Sequence, residues 1–520
     1  MAVESIWLAL LGLGVLAGIF SGIPVYLVIS GVPLIIALLA GWNGAFDLTF
    51  LQAIPQRIYG IMDNPLLHAI PLFVLMGSLL ERTGISERML TTIGQAMGGT
   101  RTSLSLSVLI VSTLIAAMTG VIGATITMLA LISLPVLLQC GVPKRTATGL
   151  ICAAGTLGQI IPPSIVLIIL GDQLSTIHME VEHSRGNFSP DPVSVGDLFA
   201  GAIVPGLVLV GLYSVYIVLL FRFRSRDSER KRANIATSPG TISWRQLALA
   251  LVPVLLIVGV LGSILTGIAT PSEAAAIGVA GTLLIAGAKA GSFSPPNRIA
   301  TLLSIASLVL LLMLKLAGSS PDIASTGTNL FLAGMATLML LCGLAWASLL
   351  VHRSGFLLPA FGDTLSLTGI IFAIVMAASI LSLVFRGFGG DLMIESIFAD
   401  LPGGKWTLLL LSMVLIFALG FVLEFIEIVL IAVPVVGPLL LGAGFDPVWL
   451  GVMIALNLQT SFLTPPFGLA LFYFRSVAPK SITTSDMYQA IIPFVLLQIA
   501  AMLLLTIFPA MATWLPGHLY

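Results

Sequence analysis

The chain has 520 residues, of which 58% are hydrophobic and only 8% are charged, a composition that excludes an ordinary soluble globular protein. Its 22 basic and 22 acidic residues leave no formal net charge, which argues against nucleic acid as a partner. The three cysteines, Cys140, Cys152 and Cys342, lie in apolar surroundings without metal-ligand spacing and read as small packing residues.

Apolar runs of about 17 residues or more, the length a helix needs to cross hydrocarbon, recur along the chain, so the expected fold is an all-α polytopic membrane protein. The N-terminus, MAVES, carries no basic residue; residues 6–40 therefore read as retained membrane helix rather than a cleaved leader. Residues 6–20 and 22–40 make either two crossings or one kinked entry around Ser21–Pro24. Residues 44–62 read as interfacial. A crossing over 64–82 ends in Glu81-Arg82, and the more polar stretch to Met97 is expected to lie along the membrane surface.

Two apolar arms come next, 102–118 and 125–140, joined by Thr119-Gly120-Val121-Ile122-Gly123-Ala124. One helix over both would be about twice bilayer length, so a re-entrant hairpin is expected. After it runs GVPKRTATGLICAAGTLGQIIPPSIVLIILGD over 141–172, a membrane-length stretch broken at Pro162-Pro163. Proline removes a backbone donor and disrupts the helix, and hydrocarbon tolerates the freed carbonyls only where protein or an ion satisfies them.

Charge orients the next segments. Residues 172–198 hold Asp172, Glu180, Glu182, Asp191 and Asp197, whereas 222–245 hold six arginines and Lys231. Positive loops stay cytoplasmic, so 144–170 is read as running outward and 199–221 as returning. Further crossings are expected over 246–268, 272–290, 299–317 and 327–351. A second set then repeats the first at an offset of about 303 residues: a crossing at 367–386, a polar connector 387–404, arms 405–421 and 428–443, and a broken helix 446–473. Its double proline, Pro465-Pro466, matches Pro162-Pro163, and Gly444 matches Gly141. Counting crossings makes the two repeats opposite in membrane orientation. The predicted parts are N-terminal scaffold helices 1–63, repeat 64–170, scaffold helices 171–366 with the apolar pair 299–351, repeat 367–473, and a C-terminal helix in 474–520. Inverted repeats with paired broken helices mark a secondary transporter's binding site.

Several residues can carry chemistry there. Asn457, Gln459, Thr460, Ser461 and Thr464 precede the second double proline, and Thr156, Gly158 and Gln159 precede the first. Their oxygens could strip water from a hard cation such as sodium; alternatively, the hydroxyls bond back to helix carbonyls one turn away. Glu424 and Glu427 sit at the second hairpin's tip, either as functional intramembrane carboxylates or as solvated groups at the interface. Arg386 ends an apolar run, as an anion contact or an interfacial anchor. No G-x-x-x-x-G-K-[ST] segment exists for ATP hydrolysis, and no H-E-x-x-H or G-x-S-x-G appears. A channel is the nearer rival, because broken helices also line pores.

The stretches PLFVLMGSLLERTGI (71–85), STLIAAMTGVIGATITM (112–128), CAAGTLGQIIPPSIVLII (152–169), VSVGDLFAGAIVPGL (193–207), TGIATPSEAAAIG (266–278) and 444–473 resemble the large membrane subunit of tripartite ATP-independent periplasmic (TRAP) transporters, the DctM-type permeases. The wording GTLGQIIPPS with NLQTSFLTPPFG is similar to the subgroup labelled mannitol/chloroaromatic. The resemblance implies an elevator-type, sodium-driven importer of organic anions in the bacterial inner membrane. It implies two partners, a small four-helix (DctQ-type) membrane subunit and a periplasmic (DctP-type) solute-binding protein, with sodium as the coupling ion and no other cofactor. Carried onto this chain, sodium would be held by Thr119, Gly120, Gly123, Thr125, Thr156, Gly158, Pro162, Glu424, Asn457, Thr460, Thr464 and Pro465. Substrate would meet Gln159, Ser164, Gln459, Ser461 and Arg386. The first tip departs from the family's serine-rich pattern, and 292–363 adds two apolar segments that shorter members lack. A stand-alone carrier or channel without a binding protein is the alternative.

The charge argument yields a topology test. A reporter enzyme active only in the periplasm should give a strong signal when fused after Ser189 and none after Ser228; the reverse pattern would overturn the inverted orientation.

Overall fold

Proline and glycine placement divides the apolar sequence into a series of helices. The computed structural model describes residues 2–519 apart from 86–87, 90–91, 94–99, 120–121, 225–243, 292–294, 319–326 and 400–402. Gly120 and most of the basic loop 222–245 therefore lie outside the described residues. Helices α1 (Ala2–Phe20) and α2 (Val25–Trp42) are separate and pack together: Gly22 turns at φ +79° and Pro24 precedes the first residue of α2, where a missing N–H costs nothing. The interfacial stretch holds a 3₁₀ turn, Leu48–Ala53, and α3 (Ile54–Met62).

The first repeat comprises α4 (Ala69–Arg82), the hairpin α5 (Arg101–Thr119) and α6 (Ile122–Gln139), then α7 (Lys144–Thr156) and, beyond the break, α8 (Ile165–Ser184). Then come α9 (Val195–Arg224), α10 (Trp244–Leu265), α11 (Pro271–Ala290), α12 (Pro295–Gly318) and α13 (Gly327–Arg353). The second repeat runs through α14 (Leu357–Gly387), α15 (Gly390–Ala399), the hairpin α16 (Gly404–Leu419) and α17 (Phe425–Gly442), α18 (Pro447–Leu463) and α19 (Leu469–Val477). Helix α20 (Thr484–Ile507) and two short turns of helix, Ala510–Thr513 and Pro516–Leu519, end the chain. Among the described residues, eight helices are long and apolar enough to cross a membrane.

Two expectations change. The acidic stretch 172–198 is helix as far as Ser184, because its carboxylates find partners along α8: Asp172 accepts from Asn64 at 2.7 Å, Glu180 from Arg386, and Glu182 from Arg185 at 2.8 Å. The joint 119–124 is shorter than read, since α6 already begins at Ile122, so Thr125 lies inside a helix and is buried.

The repeat is written into the helix boundaries. Arg101 and Gly404, Ile122 and Phe425, Gln139 and Gly442, and Lys144 and Pro447 begin or end equivalent helices at the same 303-residue offset. The packing is reciprocal as well. Helix α6 of the first hairpin lies against α19 of the second repeat, and α17 of the second hairpin lies against α8 of the first. At the centre, every residue from Thr146 to Thr156 in α7 and from Val448 to Leu463 in α18 is buried.

Two groups of helices surround this arrangement. Helices α9 and α20 pack into the repeats: α20 lies along α7, and α9 touches α5, α8, α18 and α20. Helices α2, α4, α10, α11, α13 and α14 pack chiefly on one another, with α12 on α13. The groups meet where α14 touches α17, α4 touches α5, and α9 touches α10.

In hydrocarbon, helix association depends on close packing rather than on water expulsion, so small residues sit at the tightest crossings. At the α7–α20 crossing, a Cβ added to Gly149 would lie 2.2 Å from the Ala490 carbonyl oxygen and 2.8 Å from the Phe494 ring. Backbone cannot yield there cheaply. Gly149→Val should therefore destabilise the fold by about 1–3 kcal/mol, read as a lower thermal midpoint of the detergent-solubilised protein; an unchanged midpoint would show that α20 is not held at this crossing.

Candidate functional site

Each break opens a short non-helical stretch, buried in the first repeat except at half-buried Ile161, and open at Pro466 and Phe467 in the second. Helix α7 tightens into a 3₁₀ turn, Leu157–Gln159, before Ile160–Ser164, and α18 ends at Leu463 before Thr464–Gly468. The Pro162–Pro163 and Pro465–Pro466 peptide bonds are both cis. Proline denies these stretches N–H donors, leaving an excess of carbonyl oxygen beside the hydroxyl-bearing residues.

The hydroxyl groups donate to nearby carbonyls. Thr156 bonds to Ala153 O at 2.9 Å, Thr460 to Leu456 O at 2.8 Å, Thr464 to Thr460 O at 2.7 Å, and Ser164 to Gln159 O at 2.9 Å. A hydroxyl that donates still has lone pairs to offer, so back-bonding and cation ligation are compatible. Two contacts tie α18 to the second hairpin: Asn457 Nδ2 donates to Met413 O at 2.8 Å, and Ser461 Oγ to Phe417 O at 2.6 Å. In the first repeat, the position equivalent to Ser461 is Gly158, where an added Cβ would lie 2.5 Å from Ala116 O. Each hairpin's first arm thus presses a carbonyl onto the matching broken helix.

The two broken helices meet through Gln459, whose Nε2 donates to Thr156 Oγ1 at 3.3 Å across a separation of 303 residues. These are equivalent positions in the two repeats. Gln459 Oε1 and both amide atoms of Gln159 are buried and find no partner among the described residues.

The hairpin tips converge on Tyr473 in α19. A Cβ on Gly123 would lie 2.8 Å from the Tyr473 ring, and the Tyr473 hydroxyl donates to Glu424 Oε1 at 2.8 Å. Glu424 caps α17, and Glu427 Oε2 accepts from the Glu424 N–H at 3.0 Å; negative charge at a helix N-terminus is favourable. Beside the tips lies a cavity of about 630 Å³, lined by Gly123 and Thr127 of α6, Glu424, Tyr473, Leu367 of α14 and Glu81 of α4, among others. Its charged lining residues are Glu81 and Glu424.

The expected site residues therefore divide. Gly123 and Glu424 line the cavity. Thr156, Gln159, Ser164, Asn457, Gln459, Thr460 and Ser461 are buried in the broken-helix core behind it, with Gly158, Pro162, Thr464 and Pro465 at or beside the breaks. Thr125 is buried in the first turn of α6. Thr119 closes α5; its side chain and Gly120 lie outside the described residues. Arg386 does not line the tip cavity: its Nη1 and Nη2 donate to the two Glu180 oxygens at 2.9 and 3.1 Å. Sequence reasoning missed Tyr473 and Glu81. The position of Tyr473, seven residues past the second double proline on the opposite half-helix, was the available signal.

Two buried broken helices, each closed by a hairpin from its own repeat, are the architecture of a helical membrane transporter. The model of the tripartite ATP-independent periplasmic transporter, DctM component, matches residues 10–351 and 339–511, and the chain belongs to that family. It is thus a large permease, a multi-pass protein of the bacterial inner membrane and not an enzyme. It is 26% identical to the C4-dicarboxylate TRAP transporter large permease DctM of Rhodobacter capsulatus, over 96% of this chain and 99% of that one. It is 24% identical to the sialic acid TRAP transporter large permease SiaM of Vibrio cholerae, over 97% of each. The isethionate TRAP transporter permease DctMQ of Oleidesulfovibrio alaskensis is 26% identical over 90% of this chain and 60% of that one. The fold is shared with the crystal structure of the Alcanivorax borkumensis YdaH transporter, with a TM-score of 0.54 at 16% identity over 88% of each chain.

Tyr473 joins both tips, so Tyr473→Phe keeps the ring against Gly123 and removes one hydrogen bond to a carboxylate. With Glu424 solvent-exposed, that bond contributes about 1.5 kcal/mol, and uptake should fall about tenfold with the amount of folded protein unchanged. Wild-type uptake would show that the tie plays no part in transport.

Proposed function

We propose that this permease imports a small organic anion, a carboxylate, coupled to sodium entry, and that it works with a small four-helix DctQ-type membrane subunit and a periplasmic DctP-type solute-binding protein. The observation that carries the reading is the coincidence, in both repeats, of a double-proline break, buried hydroxyls with free lone pairs, and a hairpin carbonyl pressed against the break. Clustered carbonyl and hydroxyl oxygens suit a hard monovalent cation.

The acidic lining of the tip cavity supports the same reading. Glu81 and Glu424 repel a bare carboxylate, and a sodium ion bound beside Glu424 would reverse that local field. Cation binding then precedes anion binding, so substrate is carried only with sodium bound. The substrates named for the relatives are organic anions too: C4-dicarboxylates and sialic acid are carboxylates, and isethionate is a sulfonate.

Movement follows from the two helix groups. The hairpins and broken helices of the two repeats (α5–α8 and α16–α19), with α9 and α20, form the body that slides, and α2, α4, α10, α11, α13 and α14 form the frame. Unlike the sequence expectation, this groups α9, within 171–366, with the body and the first helix of each repeat, α4 and α14, with the frame. The tip cavity borders the contact between the groups, as an elevator requires of a site that must open to either side while the body translates.

Proteoliposomes with an inward sodium gradient and loaded binding protein test the reading. Uptake should need both, and Asn457→Ala or Thr460→Val should raise the sodium concentration for half-maximal uptake about tenfold, the effect of losing one good ligand contact. Uptake that ignores sodium, or that proceeds equally without the binding protein, would favour the stand-alone carrier or channel.

A further inference from the structure

A second cavity, of about 750 Å³, lies between α1, α8, α14 and α17 and shares no lining residue with the tip cavity. It runs beside α1 from Leu8 to Ile19 and beside α17 from Leu430 to Gly442, roughly 16–18 Å at the helical rise per residue. Most of that length is walled by aliphatic side chains such as Leu11, Val15, Leu381, Val435 and Leu439. One end differs. Where α1 begins and α8, α14 and α17 end, the walls carry Glu180, Ser184, Arg185, Arg386 and Asp391. Arg386 pairs with Glu180 there, and Arg185 donates to Gly442 O at 2.7 Å.

We propose that this cavity is a binding site for one zwitterionic phospholipid of the phosphatidylethanolamine class. An acyl chain fills the aliphatic length, the phosphate meets Arg185 and Arg386, and the ammonium meets Glu180 and Asp391. Two observations select this occupant. A water-soluble metabolite would leave the aliphatic walls uncovered, at a cost that scales with their area. An anionic head would meet as many carboxylates as guanidiniums, whereas a zwitterion satisfies both. The charge asymmetry of the sequence puts the polar end on the periplasmic side, so the lipid comes from the outer leaflet of the inner membrane.

The position gives the lipid a role. Helices α1 and α14 form one wall, and α8 and α17 form the other. If transport proceeds by the sliding proposed for this permease, these walls belong to the frame and the sliding body, so the chain separates surfaces that must move past each other. The binding site itself stands whether or not that reading holds.

The test measures binding directly. The purified full-length chain is placed in nanodiscs containing phosphatidylethanolamine and phosphatidylglycerol, with a trace of one or the other bearing a photoactivatable acyl chain. The phosphatidylethanolamine probe should label peptides of α1 and α17. Gly12 lines the cavity, and a Cβ added to it meets no atom within 4 Å, so Gly12→Phe fills the space without a clash at its first atom. It should cut labelling about tenfold, while Gly12→Ala leaves labelling in place. Leu16→Trp fills the same cavity from the next turn and decides the matter if Gly12→Phe does not fold. Competition by unlabelled lipid on the wild-type chain should show the same head-group preference. Equal labelling by the phosphatidylglycerol probe, or undiminished labelling in the filled variants, overturns the proposal. Because the readout is labelling and not uptake, its failure is separate from any failure of sodium coupling.

Discussion

A helix broken inside hydrocarbon must hide the backbone groups that the break exposes, and this constraint governs the molecule. Each unsatisfied group costs several kcal/mol where no water can reach it, so α7 and α18 can be interrupted only if something surrounds them. Every residue of α18 from Val448 to Leu463 is buried, and the hairpins supply the cover. The first arm of each hairpin lies against its broken helix, Ala116 beside Gly158 and Phe417 O bonded to Ser461. Here broken helix and hairpin form one structural solution in two parts.

Reciprocity between the repeats has the same origin. The first arm of each hairpin covers the broken helix of its own repeat, and the second arm leans on the other: α6 on α19 and α17 on α8. Helices α9 and α20 close the remaining sides, and the crossing at Gly149 brings backbone against backbone. The second helix group touches this unit over fewer surfaces, and both cavities lie along that looser contact.

Much of this is legible in the sequence because its signals are local. Double prolines, flanking hydroxyls and apolar length fix the breaks and arms through bonds within a few residues of each other. The matching residues Gly141 and Gly444, with φ of +76° and +85°, announce the turn into each broken helix. What stays hidden depends on partners far away in the chain. The carboxylates of α8 look like loop residues because Asn64 and Arg386, which satisfy them, are over a hundred residues distant. Tyr473 looks like one more aromatic on an apolar helix; only its place between Gly123 and Glu424 gives it a role. Arg386 invites assignment to an anion by charge alone, and its partner is a carboxylate of the protein. The grouping of α9 with the repeats is likewise invisible, since hydrophobicity says that a helix is buried but not against what.

The contact between Thr156 and Gln459 bears on the history of the chain. Equivalent positions of two repeats touch each other only near the axis that relates them. In a half-length ancestor assembling as a two-fold dimer, one residue would have faced its own copy there, as isologous interfaces require. Two threonines, or two glutamines, would have had to share a single geometry. A single polypeptide is free of that restriction, and here the two positions hold an amide that donates and a hydroxyl that accepts. The axis is where duplication leaves the least freedom, and it is where a fused gene first gains the means to tell its halves apart.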